Sequence, residues 1–192
     1  MNLPNKLTVA RIIATPVFLA LMVIEFKFHY LAALIVFILA SLTDMLDGQI
    51  ARKRNLITDF GKFLDPVADK LLTTAAFLAF LAKGVGDGIV WIVFLVLFRE
   101  FIITSLRLVV VSSGGKVIAA NIWGKAKTVS QMIAIIFTIT VLCFMELFPQ
   151  FTLLNTALAV AVDVALWVST VLCVISGAIY LVQNGETINS SK

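Results

Sequence analysis

Four aspartates interrupt an otherwise apolar chain at spacings that a helix would place on one face. Asp44 and Asp47 stand in the run Asp44-Met45-Leu46-Asp47-Gly48-Gln49-Ile50-Ala51-Arg52. Asp65 and Asp69 close the run Gly61-Lys62-Phe63-Leu64-Asp65-Pro66-Val67-Ala68-Asp69. Residues three or four apart share a helix face, so each pair converges if its segment is helical. A carboxylate in or near a bilayer costs several kcal/mol without a partner, which makes such residues functional candidates. An all-oxygen donor set suits Mg2+ or Mn2+, not zinc or copper. Two such ions could neutralise a pyrophosphate and its transition state. Gly48 leaves room for a ligand to approach the backbone. Arg52, on the same face, offers a two-pronged grip on a phosphate. The alternative is that the aspartates form structural ion pairs with Arg52, Lys62 or Lys70. Four carboxylates with two glycines and an arginine at these spacings favour the metal site.

The elements that must hold these residues follow from composition. The chain has 192 residues, 61% of them hydrophobic, and a mean hydropathy of +1.07. An ordinary soluble domain is nearer half apolar. A bilayer core requires about 20 apolar residues per helix, so this length accommodates roughly six spans joined by short loops. Only helices and closed barrels cross lipid, and the long apolar runs lack period-two alternation, so helices are expected. The spans read as 7–26, 30–50, 66–82, 89–111, 128–148 and 153–182. The expected fold is an all-α integral membrane bundle of six transmembrane helices, a single domain over 1–192. The first apolar segment reads as a span and not as a cleavable signal. A dispersed net charge of +4 argues against a nucleic-acid partner. Cys143 and Cys173 lie alone in apolar runs and read as packing residues. His29, the sole histidine, reads as a surface residue in a short polar connection.

Orientation follows from the basic residues. Arg52, Lys53, Arg54 and Lys62 cluster in one connection, and Lys116, Lys125 and Lys127 in another. The alternate connections hold only Lys27 and Lys83. The positive-inside bias puts both basic loops and both termini in the cytoplasm. About a dozen apolar residues precede Thr43, a rise of about 18 Å. The aspartates are therefore expected at cytoplasmic helix ends, near the phosphates of a lipid, with Pro66 in a helix's first turn.

Asp44, Asp47, Gly48, Ala51, Arg52, Gly61, Asp65 and Asp69 match, with every spacing intact, the signature D-x2-D-G-x2-A-R-x8-G-x3-D-x3-D. On these residues the chain resembles the CDP-alcohol phosphatidyltransferases. Three further segments look like the bacterial phosphatidylglycerophosphate synthase branch of that family. They are Asn2-Leu3-Pro4-Asn5-Lys6-Leu7-Thr8 with Arg11, Arg99-Glu100-Phe101 leading to Ser105-Leu106-Arg107, and Gly124-Lys125-Ala126-Lys127-Thr128 with Gln131.

The resemblance implies a membrane enzyme, usually a homodimer, that moves a phosphatidyl group from CDP-diacylglycerol to an alcohol. By that resemblance Asp44, Asp47 and Asp65 bind two Mg2+ or Mn2+ ions, and Asp69 assists and serves as general base. Gly48, Arg52 and Gly61 border the CDP group beside Asp47. Asn5, Thr8 and Arg11, spaced by three on the first helix, either close the nucleotide site or cap and anchor that helix. Arg99, Arg107, Lys125 and Lys127 suit an anionic acceptor, glycerol 3-phosphate. Arg107, followed by apolar residues, calls for an anion. Otherwise it pairs with Glu100 or snorkels. Other acceptors within the family are inositol phosphate, serine and phosphatidylglycerol. A cation transporter is the alternative from another class, but it expects carboxylates near mid-bilayer and paired broken helices.

Overall fold

The computed structural model describes residues 3–54, 59–112 and 122–189, with side chains for 5–43, 67–68, 70–107 and 122–183. Among the described residues the regular elements are six α-helices: α1 (Leu3–Val23), α2 (His29–Arg54), α3 (Asp59–Lys83), α4 (Ile89–Ser112), α5 (Ile122–Leu147) and α6 (Thr152–Asn189). Among the described residues, four stretches are long and apolar enough to cross a membrane: Asn5–Val23, Ile89–Arg107, Ile122–Leu147 and Thr152–Gln183. His29–Thr43 of α2 is apolar but shorter.

Two helices run well beyond their apolar stretches. α2 continues past Asp44 and Asp47 to Arg54, and α3 begins at Asp59, ahead of Asp65 and Asp69. The aspartates therefore occupy helix interiors, not the helix ends that hydropathy marked. Pro66 likewise falls inside α3 and not in its first turn, where it removes one i→i−4 hydrogen bond. Helix continuation is decided by backbone hydrogen bonding, which persists through polar residues after the apolar run has stopped.

The chain divides into two compact units. The first comprises Met1–Val85 and Ile135–Val160. In it α1 packs along both α2 and α3, which also touch each other. The contact is built on small residues. α2 buries Ala33, Phe37 and Ala40, and α3 buries Ala68, Ala75, Ala76 and Ala79, at the three- and four-residue steps of one helix face. In lipid there is little hydrophobic drive between helices, so close approach of small side chains supplies the dispersion contact. Phe18 of α1 meets Phe37 of α2 with ring centroids 5.3 Å apart. Side chains such as Ile13, Ile35 and Leu39 remain exposed on the outer faces.

One end of this unit is tied by polar contacts. His29 Nδ1 donates to the Leu21 carbonyl at 3.1 Å, satisfying one of the carbonyls left without a partner at the end of α1. His29 is consequently buried, not a surface residue, and its ring lies 3.9 Å from that of Tyr30. Phe28 adopts a left-handed backbone (φ 69°) and donates its N–H to Glu146 Oε1 at 2.9 Å. Lys83 at the end of α3 pairs with Glu25 at 3.0 Å. Gly84, at φ 63°, then stops α3. Val85 N–H bonds Phe80 O at 2.9 Å and Gly84 N–H bonds Leu81 O at 3.2 Å, the paired bonds of a glycine C-cap.

The second unit comprises Gly86–Ala134 and Ala161–Lys192. Here α4 and α6 lie side by side and point the same way. At the start of α4, Asp87 N–H donates to Asp163 Oδ1 at 2.9 Å, and Trp167 Nε1 donates to Asp87 O at 3.0 Å. Further along, Arg99 reaches Ser176, and Arg107 reaches Tyr180. The first half of α5 joins them through Lys127. Cys143 in the first unit and Cys173 in the second are free and buried, as packing residues should be.

Candidate active site

In the first unit three helix ends meet at the His29–Leu21 and Lys83–Glu25 contacts. The opposite halves of α1, α2 and α3 therefore share the other end. Thr8 stands 15 residues from Val23, Asp44 stands 15 from His29, and Asp69 stands 14 from Lys83. At 1.5 Å per residue, each lies about 21–23 Å from the tied end. The helices that carry the aspartates thus run beside α1 at a common depth. The side chains of Asp44, Asp47, Gly48, Arg52, Gly61, Asp65 and Asp69 lie outside the described residues.

α1 brings an unusual face to this depth. Asn5, Thr8 and Arg11 are all buried, with Arg11 only 2% exposed. The buried face then turns apolar through Phe18 and Met22. All three polar residues lie inside the helix, so they do not cap its end. A buried guanidinium is costly unless it is paired, and none of the three is without a partner. Thr15 disposes of its own hydroxyl by donating to Arg11 O at 2.9 Å. A helix buried for packing alone would have no use for three polar groups in succession.

The acceptor candidates belong to the second unit. Glu100 Oε1 accepts from Arg99 Nη1 at 2.9 Å and from Lys127 Nζ at 2.5 Å. Arg99 Nη2 donates to Ser176 Oγ at 3.1 Å, while Arg99 Nε is buried with no hydrogen-bond partner. These three charged side chains are 13–16% exposed and carry one net positive charge. Arg107 is exposed, and its guanidinium stands 5.3 Å from the Tyr180 ring centroid. Lys125 is exposed. So Lys127 pairs with the carboxylate of Glu100, and Arg107, for which Glu100 was the alternative partner, stacks on an aromatic ring instead. The physical reason is reach. Glu100 and Arg107 are about two helical turns apart, whereas Arg99 adjoins Glu100 and Lys127 faces it from α5.

Two features of this cluster were missed in the sequence, namely the sharing of Glu100 by two cations and the role of Tyr180 beneath Arg107. The signal for the first was present, since a glutamate within an apolar run needs a partner as much as an arginine does. A cavity of about 200 Å³ also opens between α4 and α6, lined by Phe98, Arg99, Ile102, Val174, Ala178 and Leu181 among others. Its walls are almost wholly hydrocarbon, which suits an acyl chain better than a polar alcohol.

A helical membrane protein with paired intrahelical aspartates and a cationic cluster is the class that these features define. The model of the CDP-alcohol phosphatidyltransferase family matches residues 1–175, and the chain belongs to that family of enzymes. It is 41% identical to the CDP-diacylglycerol--glycerol-3-phosphate 3-phosphatidyltransferase of Bacillus subtilis (strain 168), over 99% of this chain and 98% of that one. The Rickettsia bellii (strain RML369-C) protein of the same name is 37% identical over 93% of each chain. A probable phosphatidylglycerophosphate synthase of Mycobacterium tuberculosis (strain CDC 1551 / Oshkosh) is 39% identical over 70% of this chain and 64% of its own. Membership in this transferase family displaces the transporter alternative.

Proposed function

We propose that this enzyme transfers the phosphatidyl group of CDP-diacylglycerol to glycerol 3-phosphate, giving phosphatidylglycerophosphate and CMP. What most supports this acceptor is the 41% identity, over essentially the whole chain, to a relative that bears that activity in its name.

Asp44, Asp47, Asp65 and Asp69 form an oxygen-only donor set on two helices that flank α1, which fits Mg2+ or Mn2+. When bound, such ions supply charge neutralisation at the pyrophosphate. Asp69 takes the proton from the 1-hydroxyl of glycerol 3-phosphate. The freed oxygen attacks the lipid-linked phosphorus in line, the bond to the CMP oxygen breaks, and CMP leaves. Asp47, Gly48, Arg52 and Gly61 border the CDP group, and Asn5 and Thr8 complete its site from the buried polar face of α1. Arg99, Arg107, Lys125 and Lys127 hold the acceptor's phosphate. Positioning and fixed charges supply most of the rate, as in phosphoryl transfer generally.

In this reading the whole chain is one catalytic domain of six spans in the cytoplasmic membrane. Both termini and the active site face the cytoplasm, and the enzyme works as a homodimer. Purified enzyme offered CDP-diacylglycerol with glycerol 3-phosphate, inositol phosphate, serine or phosphatidylglycerol tests the acceptor. Release of CMP only with glycerol 3-phosphate is expected. A preference for any other alcohol would refute the assignment.

A further inference from the structure

The cluster on α4 and α5 contains a residue whose sign is wrong for an anion site. Glu100 sits among the cations proposed to hold a phosphate. It is not at their edge, because Arg99 Nη1 and Lys127 Nζ converge on the same oxygen, Oε1. Sharing one oxygen brings the two nitrogens close enough for a single phosphate to touch both.

Two largely buried cations side by side repel each other and are costly to desolvate. Lys127, on its flexible stem, can escape by swinging toward the interface. Arg99 has less freedom. Its Nη2 is tied to Ser176, and its stem runs beside Gly177, where a β-carbon would meet Arg99 Cγ at 2.8 Å. The carboxylate between them removes the repulsion. It also consumes few donors. Lys127 has three N–H bonds, and Arg99 keeps its Nε–H, which has no hydrogen-bond partner.

We infer that Glu100 is a positioning residue for the acceptor site: it holds Arg99 and Lys127 together on one oxygen, leaving one net positive charge for the phosphate of the acceptor. The inference rests on the acceptor proposed above and adds a residue that acts on it only through Lys127 and Arg99.

The experiment uses the full-length enzyme in detergent and three variants, Glu100→Gln, Lys127→Met and the double replacement. Apparent KM for glycerol 3-phosphate and for CDP-diacylglycerol, kcat and the thermal midpoint are measured for each. Glu100→Gln is expected to raise the apparent KM for glycerol 3-phosphate about tenfold while leaving that for CDP-diacylglycerol within about twofold. The double variant is expected to be no worse than Lys127→Met alone, because residues acting as a unit do not add. Where Glu100→Gln cannot be isolated folded, Glu100→Asp, which withdraws the same charge by one methylene, is expected to raise only the glycerol 3-phosphate KM. An unchanged KM for glycerol 3-phosphate overturns the inference. So does a lowered one, which would make Glu100 a competitor of the phosphate. Equal losses for both substrates with a lower thermal midpoint also overturn it, in favour of a purely structural ion pair. A wild type that does not accept glycerol 3-phosphate overturns the acceptor assignment and this inference together, whereas the other outcomes leave the acceptor assignment standing.

Discussion

Gly177 of α6 lies against the side chain of Arg99 of α4 so closely that a β-carbon at position 177 would stand 2.8 Å from Arg99 Cγ. Without a β-carbon there, the Arg99 stem passes Gly177 without displacement on its way to Ser176. Alanine is about 1 kcal/mol better than glycine in a helix interior. Overpacking typically costs about 1–3 kcal/mol. Gly177→Ala should therefore be neutral to mildly destabilising, while displacing Arg99 and raising the apparent KM for glycerol 3-phosphate several-fold. A variant with unaltered KM and a higher thermal midpoint would show that the contact relaxes freely.

Metal dependence follows from the donor set. Chelation should abolish transfer, and added magnesium or manganese should restore it. Alanine at Asp44, Asp47 or Asp65 should cost several orders of magnitude in rate in a folded protein. Full activity in excess chelator would end the two-metal account.

Arg107 tests the acceptor site separately from the nucleotide site. Losing a charge-assisted contact costs about 1.5–3 kcal/mol, or roughly ten- to a hundredfold. For Arg107→Ala that loss should fall on the apparent KM for glycerol 3-phosphate, and for Arg52→Ala on CDP-diacylglycerol. Tyr180→Phe keeps the ring face under the guanidinium and should behave as wild type, whereas Tyr180→Leu should mimic part of the Arg107→Ala defect. If Arg107→Ala weakens only CDP-diacylglycerol, the division of roles is wrong.

Topology is open to labelling. After replacement of Cys143 and Cys173, Lys53→Cys should resist a membrane-impermeant thiol reagent in intact cells, and Asp87→Cys should react. The reverse pattern would place the aspartates on the face away from cytosolic glycerol 3-phosphate.

The tied end of the first unit carries a pH signature. The Glu25 carboxyl is held below its ordinary value, first by the hydrogen bond from Lys83 and then by that ammonium's charge. A carboxyl depressed in the folded state contributes stability above its unfolded value and loses it as pH falls through the folded one. The contribution is therefore complete above about 4.5 and fades at more acid pH. The pair is exposed, so the effect is small. Glu25→Gln should flatten the acid limb of the thermal midpoint, and parallel acid limbs for the two proteins would count against this assignment.

The aspartate signature and the helix count could be read from the chain alone, because both depend on local composition and spacing. The start of α4 at Ile89 and the glycine break before it followed from hydropathy and from the left-handed backbone that glycine tolerates. The continuation of α2 to Arg54 and the early start of α3 at Asp59 did not, since hydropathy registers the membrane and not the backbone hydrogen bonds that carry a helix beyond it. His29 looked exposed because the sequence around it is polar. Only the return of α2 beside α1 put Leu21 O within its reach. The sequence placed Asn5, Thr8 and Arg11 on one side of a helix, but their burial came from packing along α2 and α3. The same holds for Glu100. Its neighbours along the chain name Arg99 as a partner, but Lys127 comes from another helix. Long flexible side chains pair with whatever the tertiary fold brings within a few ångströms, and spacing along one helix does not determine which neighbouring helix that will be.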